Sequence, residues 1–179
     1  MTSIPDPVEL TRDLIRMDTI NPPGNEEPAA RYLGELLAGA GLHVDYPRLG
    51  ENSTGLIAAI PGKTSQLPLV FTGHLDTVPI GDAPWDTPPH GAEIKGGRLM
   101  GRGASDMKSG IAAMVVTALH LAQEPEGARG VVFVFTAGEE TGSEGALQMK
   151  ESGALPREAG AIVVAEPSGN IPLLGHKGA

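Results

Sequence analysis

Six side chains able to bind metals and move protons stand at the ends of apolar runs and turns. They are His74 and Asp76 in FTGHLDTVP, Asp106 in GRGASDMKSG, Glu139 and Glu140 in AGEETGSEGA, and Glu166 in AEPS. Taken singly, each has an ordinary reading. Asp106 can cap a helix, Glu139 and Glu140 can answer a helix dipole, Glu166 can sit in a turn before Pro167, and His74 can be structural. Taken together they read differently. Five carboxylates brought to one edge repel one another and raise each other's pKa values, and one or two divalent cations remove that conflict. One histidine with several Asp and Glu, and no cysteine, suits Zn²⁺, Co²⁺ or Mn²⁺. Two such ions about 3.5–4 Å apart, sharing a carboxylate, form an arrangement used for hydrolysis.

The elements that must position these groups are strands and helices in alternation. GLIAAI (55–60), LPLVFTG (67–73), VVFVFTAG (131–138) and GAIVVAE (160–166) read as strands. They lack polar–apolar alternation, which predicts burial on both faces. A capped helix is expected from Asp6-Pro7-Val8-Glu9 onward, and a second over about 26–40, with Leu33, Leu36, Leu37 and Ala40 on one face. The segment from about Asp106 to Gln123 is apolar nearly all round and predicts a buried helix. EIKGGRLMGRG reads as a hairpin, and a short helix is expected from Thr141 or Ser143. The predicted fold is α/β: three layers, α/β/α, with a mixed, mostly parallel central sheet. In such open sheets, sites form outside the carboxyl ends of the strands. That rule would gather all six residues.

Composition narrows the function class. The 179 residues carry 13 Lys+Arg against 22 Asp+Glu, a net charge of −9. This argues against nucleic acid or an anionic membrane as partner. With no cysteine, neither disulfides nor thiolate ligands arise. No apolar run approaches the ~20 residues of a membrane span, and MTSIPDPVELTRDL lacks the pattern of a signal peptide, so a cytoplasmic protein is expected. Two nucleotide motifs fail. IPGKTS (60–65) has Ile57 where a phosphate loop needs its first glycine, and GRGASD (101–106) has Asp106 where a dinucleotide fingerprint needs its third.

The segments GHLDTVP, GRGASDMKSG, AGEETGSEGA and AEPS, in this order and spacing, resemble metallopeptidase family M20. That family includes acetylornithine deacetylase, succinyl-diaminopimelate desuccinylase, aminoacylase and carboxypeptidase G2, and TINPPGNE (19–26) is similar to the first two in particular. The resemblance implies a zinc-exopeptidase-like fold and an amidohydrolase that cleaves an N-acyl group from an amino acid or short peptide. It implies that His74 and Glu166 bind one zinc, Asp106 bridges two, and Glu140 binds the second. It further implies that Asp76 orients His74, that Glu139 is the general base, and that the peptide after Asp106 is often cis. The family pattern continues past residue 179 into a dimerisation domain and a last histidine ligand, for which His176 is a poor substitute. The chain is therefore expected to be the N-terminal portion of the catalytic domain, inactive by itself. The complete protein is expected to be a homodimer, with a monomer left open for this chain. The alternative is a non-catalytic metal-binding or interaction module with the hydrolase fold.

Overall fold

A computed structural model describes residues 4–124, 127 and 129–175. Helix α1 (Pro7–Arg16) begins where the Asp6 carboxylate accepts the Val8 and Glu9 amides at 2.8 and 3.1 Å. This is the cap that Asp-Pro predicts. Helix α2 (Glu27–Gly39) follows, with Leu33 and Leu37 fully buried. A short strand β1 (His43–Asp45), for which the sequence has no apolar run, leads to β2 (Leu56–Ile60) and β3 (Leu69–His74). Strands β4 (Glu93–Lys95) and β5 (Arg98–Met100) form the expected hairpin. Its two turn residues, Gly96 and Gly97, both have positive φ (59° and 75°), a geometry that side chains disfavour. Helix α3 (Ser109–Leu121), β6 (Val131–Thr136), α4 (Glu144–Glu151) and β7 (Ala161–Val164) complete the order.

The main sheet has the order β1-β2-β6-β3-β7. Strand β2 is antiparallel to β1 and β6, whereas β6, β3 and β7 run parallel to one another. The sheet is thus mixed, and its three parallel strands end at one edge. Successive residues of β6 feed two cores, as strand alternation requires. Phe133 and Phe135 pack toward α1–α3 with Leu10, Leu33, Ile111 and Val115, and the Phe133 ring stacks on Phe71 at 5.2 Å. Val134 and Val70 meet Met149 of α4 on the opposite face. Helices therefore lie on both faces of the sheet.

Two expectations change. Strand β7 is not buried: all four of its residues are exposed, Ile162 at 62%. Its pattern is that of a core strand, but it lies at the sheet edge and little packs on it. Helix α3 begins at Ser109 rather than Asp106. The backbone at Asp106 (φ −116°, ψ 97°) and Met107 (φ −132°, ψ 35°) leaves the helical region, and the Asp106–Met107 peptide is cis.

Candidate metal centre

His74 ends β3 and is 2% exposed. Its Nε2 lies 3.0 Å from Asp106 Oδ1 and 3.5 Å from Glu166 Oε1. Its Nδ1 lies 2.9 Å from the backbone carbonyl of Asp76 and 3.5 Å from the Asp76 carboxylate. A ring N–H at Nδ1 donating to that carbonyl leaves the Nε2 lone pair facing the acids. One ligand atom each from His74, Asp106 and Glu140 lies within 4.8 Å of the others. A metal with N and O ligands at about 2.0–2.2 Å holds them roughly 3–4 Å apart. The cluster therefore fits a divalent cation after a small contraction, and its imidazole and carboxylate donors suit a borderline ion.

The electrostatics follow from this crowding. Burial works against a charged His74, but Asp76, Glu166 and Asp106 outweigh it and raise its pKa to about 9. Burial raises the Glu140 and Glu166 carboxyls; Asp106 and the other acids push them further up, with His74 partly opposing. Asp76 is buried, which acts upward, but His74, the Glu140 amide and Asn21 hold its carboxyl below the usual value. A cation entering this site displaces protons from groups that now share them.

The Asp76 carboxylate does more than face the imidazole. Its Oδ1 accepts the Glu139 amide at 3.2 Å, and its Oδ2 accepts the Glu140 amide at 3.1 Å and Asn21 Nδ2 at 3.3 Å. One buried carboxylate thus pins the turn after β6 to the end of β3. Glu139 itself is exposed at this turn. A cavity of about 350 Å³ borders Asp106 and Glu140 and is walled by Val78, Trp85, Leu99 and Arg102. The Arg102 guanidinium lies 5.0 Å from the Trp85 ring centre.

Three participants escape reading by sequence. Asn21 belongs to the NPPGNE segment, and only the fold brings it to Asp76. Lys108 is buried and donates from Nζ to the Leu14 and Met17 carbonyls, at 2.9 Å each, tying the end of α1 to the Asp106 turn. Burial lowers its pKa to about 8, with Asp18 opposing. The third is Arg102. His90 is used elsewhere, bonding the Ile15 carbonyl at 3.0 Å, and His176 lies outside the described residues.

A model of peptidase family M20/M25/M40 matches residues 70–175. The chain is 39% identical over 184 aligned residues to the succinyl-diaminopimelate desuccinylase of Cereibacter sphaeroides, an alignment that takes in 97% of this chain and 47% of that protein. The chain thus spans about half the length of this curated relative. An M20 family metallo-carboxypeptidase from Sulfolobus solfataricus superposes with a TM-score of 0.74 at 21% identity, over 90% of this chain and 37% of the other. A Bacillus subtilis protein described as a dinuclear metal binding peptidase from M20 family gives 0.60 at 20%, over 88% and 41%. These likenesses to solved structures show the fold.

Proposed function

This chain belongs to peptidase family M20/M25/M40, and from that premise we propose that it is the N-terminal portion of the catalytic domain of a zinc-dependent amidohydrolase. The complete enzyme would remove an N-acyl group, succinyl or acetyl, from an amino acid or short peptide. The observation that carries this reading is the convergence of His74, Asp106 and Glu140, with Glu166 beside His74. The desuccinylase relative supports the substrate class, and the half-length alignment supports the place of this chain in a longer domain. Exposed β7, at the edge of the sheet, is the side on which such a domain would continue.

In this reading His74, Asp106 and Glu166 would hold one ion, and Glu140, with Asp106, would hold a second. Zn²⁺, with Co²⁺ or Mn²⁺ as alternatives, would supply Lewis acidity toward an amide carbonyl and acidify a water molecule. Glu139 would serve as general base, taking a proton and returning it to the leaving nitrogen. Asp76 holds the amides of Glu139 and Glu140, so that base and ligand keep their spacing. We further infer a homodimer for the longer protein and little or no turnover by this chain alone, because the second ion has only Asp106 and Glu140 among the described residues.

Elemental analysis of the dialysed, mass-verified chain tests the centre. About one zinc per chain is expected, from the His74, Asp106 and Glu166 donors. It should be lost in His74→Ala and kept in Glu139→Gln, and a chain that takes up none overturns the reading. In a chain carrying the whole catalytic domain, Glu139→Gln should retain metal and lose hydrolysis of N-succinyl and N-acetyl amino acids. Robust hydrolysis by the 179-residue chain would sink the inference that it is inactive.

A further inference from the structure

Glu26 is a buried acid that the reaction does not use. It is fully buried at the entry to α2, and neither carboxyl oxygen has a hydrogen-bond partner. The Ser53 hydroxyl approaches without reaching hydrogen-bonding geometry. Leaving an ionised carboxylate in that state is costly, whereas a protonated one is tolerated.

Its charged neighbours point the same way. Asp76 lies after β3, and the cleft beside Glu26 is bordered by Glu51 on the 48–53 loop and Glu144 on α4, with no Lys or Arg in its lining among the described residues. Arg48 of that loop is turned to the Gly50 and Glu51 carbonyls, and Arg31 of α2 pairs with Glu27. Burial pushes the Glu26 carboxyl up, Ser53 and its own backbone amide partly offset this, and Asp76 pushes it up again.

The position of Asn21 gives this acid a task. Asn21 Nδ2 faces Asp76 Oδ2 and Thr141 Oγ1, at 3.3 Å each. Its Oδ1 therefore faces the other way, toward the turn at Gly24 and Glu26. A methyl group on Gly24 would stand 3.4 Å from each Glu26 oxygen and 3.5 Å from Asn21 Oδ1, so all three oxygens border the same small space. Two acceptors that border one dry space repel unless one of them carries a proton.

We propose that Glu26 is a positioning residue of the metal centre: an uncharged carboxylic acid whose O–H holds the side-chain oxygen of Asn21, so that Nδ2 stays aimed at Asp76. The relay runs from Glu26 through Asn21 to Asp76, and from Asp76 to His74 and the Glu139–Glu140 turn. It gives the NPPGNE segment a role that touches neither metal nor substrate.

The effect on zinc rests on the metal-centre reading, while the state of Glu26 rests on geometry alone, so two readouts separate them. Infrared difference spectra of the 179-residue chain against Glu26→Gln near neutral pH should show the carbonyl stretch of a neutral acid that the variant lacks. A native chain without that band overturns the proposal, whether or not zinc binds. In zinc titrations, Glu26→Gln keeps a hydrogen donor of the same shape and should retain native affinity. Glu26→Ala should lose tenfold or more, on the order of other outer-shell deletions. The Asn21 side-chain amide protons should exchange slowly in the native chain and in Glu26→Gln, and faster in Glu26→Ala. Equal losses in both variants overturn the proposal. Should Glu26→Ala fail to fold, the band and the Glu26→Gln titration still decide. A native chain that shows the band and slow Asn21 protons but takes no zinc defeats the metal-centre reading and supports the state assigned to Glu26.

Discussion

Strands β6 and β7 are alike in composition and unlike in surroundings. VVFVFT contributes Phe133 and Phe135, both fully buried, whereas AIVV leaves Ile162, Val163 and Val164 at 62, 42 and 53% exposure. Both strands deliver acids to the same edge, β6 through Glu139 and Glu140 and β7 through Glu166. The β6 arm rests on two cores and is stitched to β3 through Asp76. The β7 arm pairs with one strand, β3, and meets the core only through Ala165, which lies against Gly110 of α3. The β6 half of the candidate centre is thus held on both faces of the sheet, and the β7 half by one strand and one core contact.

The largest effect that would test this contrast is on stability. Phe133→Ala removes a buried ring from the central strand and should cost about 3–5 kcal/mol in urea unfolding. If it costs no more than a truncation on β7, the two arms are not held differently.

Acidity comes next. The pKa of His74 is raised from 6.5 to about 9 in the metal-free chain. Its contribution is therefore fully present below pH 6.5 and is lost as pH rises through about 9, at most about 3 kcal/mol for one group. The raised carboxyls of Glu140 and Glu166 act in the same sense, losing stability from 4.5 upward. With a chelator present, melting temperature should fall between pH 6.5 and 9, and zinc should restore it. A flat profile would mean that the acids around His74 do not hold its proton.

Asp76→Asn sharpens the comparison at the site. Asparagine offers one acceptor oxygen where three donors now share two, so zinc affinity should fall about 10–100-fold, and the metal-free chain should also melt lower. Glu166→Gln should weaken zinc binding and leave metal-free melting within about 0.5 kcal/mol. If both variants alter melting equally, the β7 arm is as much a part of the fold as the β6 arm.

The smallest effect is expected on β7 itself. Ile162→Ala trims a side chain already 62% exposed, and unfolding should change by about 0.5 kcal/mol.

Much of this was legible beforehand. Apolar runs marked β2, β3, β6 and β7 because strand patterning is local. Gly96-Gly97 marked a hairpin, because two consecutive positive φ angles favour glycine. The strand-end rule for parallel sheets would gather His74, Asp76, Asp106, Glu139, Glu140 and Glu166, and in the fold Asp106, Glu166 and Glu140 stand close to His74. By contrast, β1 was missed, since three residues carry no period. The start of α3 was misplaced, since the apolar pattern runs on through Asp106 and Met107, where the backbone leaves the helix; only the family resemblance pointed to the cis peptide there.

By itself, then, the sequence determined which residue types stand at which strand ends, because residue type and strand period are properties of neighbouring residues. Only the tertiary structure decided what those side chains lean on. Asn21 reaches Asp76 across 55 positions, Lys108 reaches Leu14 across 94, and Asp76 reaches Glu139 across 63. It likewise decided that β7 lies open while β6 is enclosed. Hydrogen-bond partners and burial depend on which distant segments pack together, and a pattern of residue types along the chain does not contain that information.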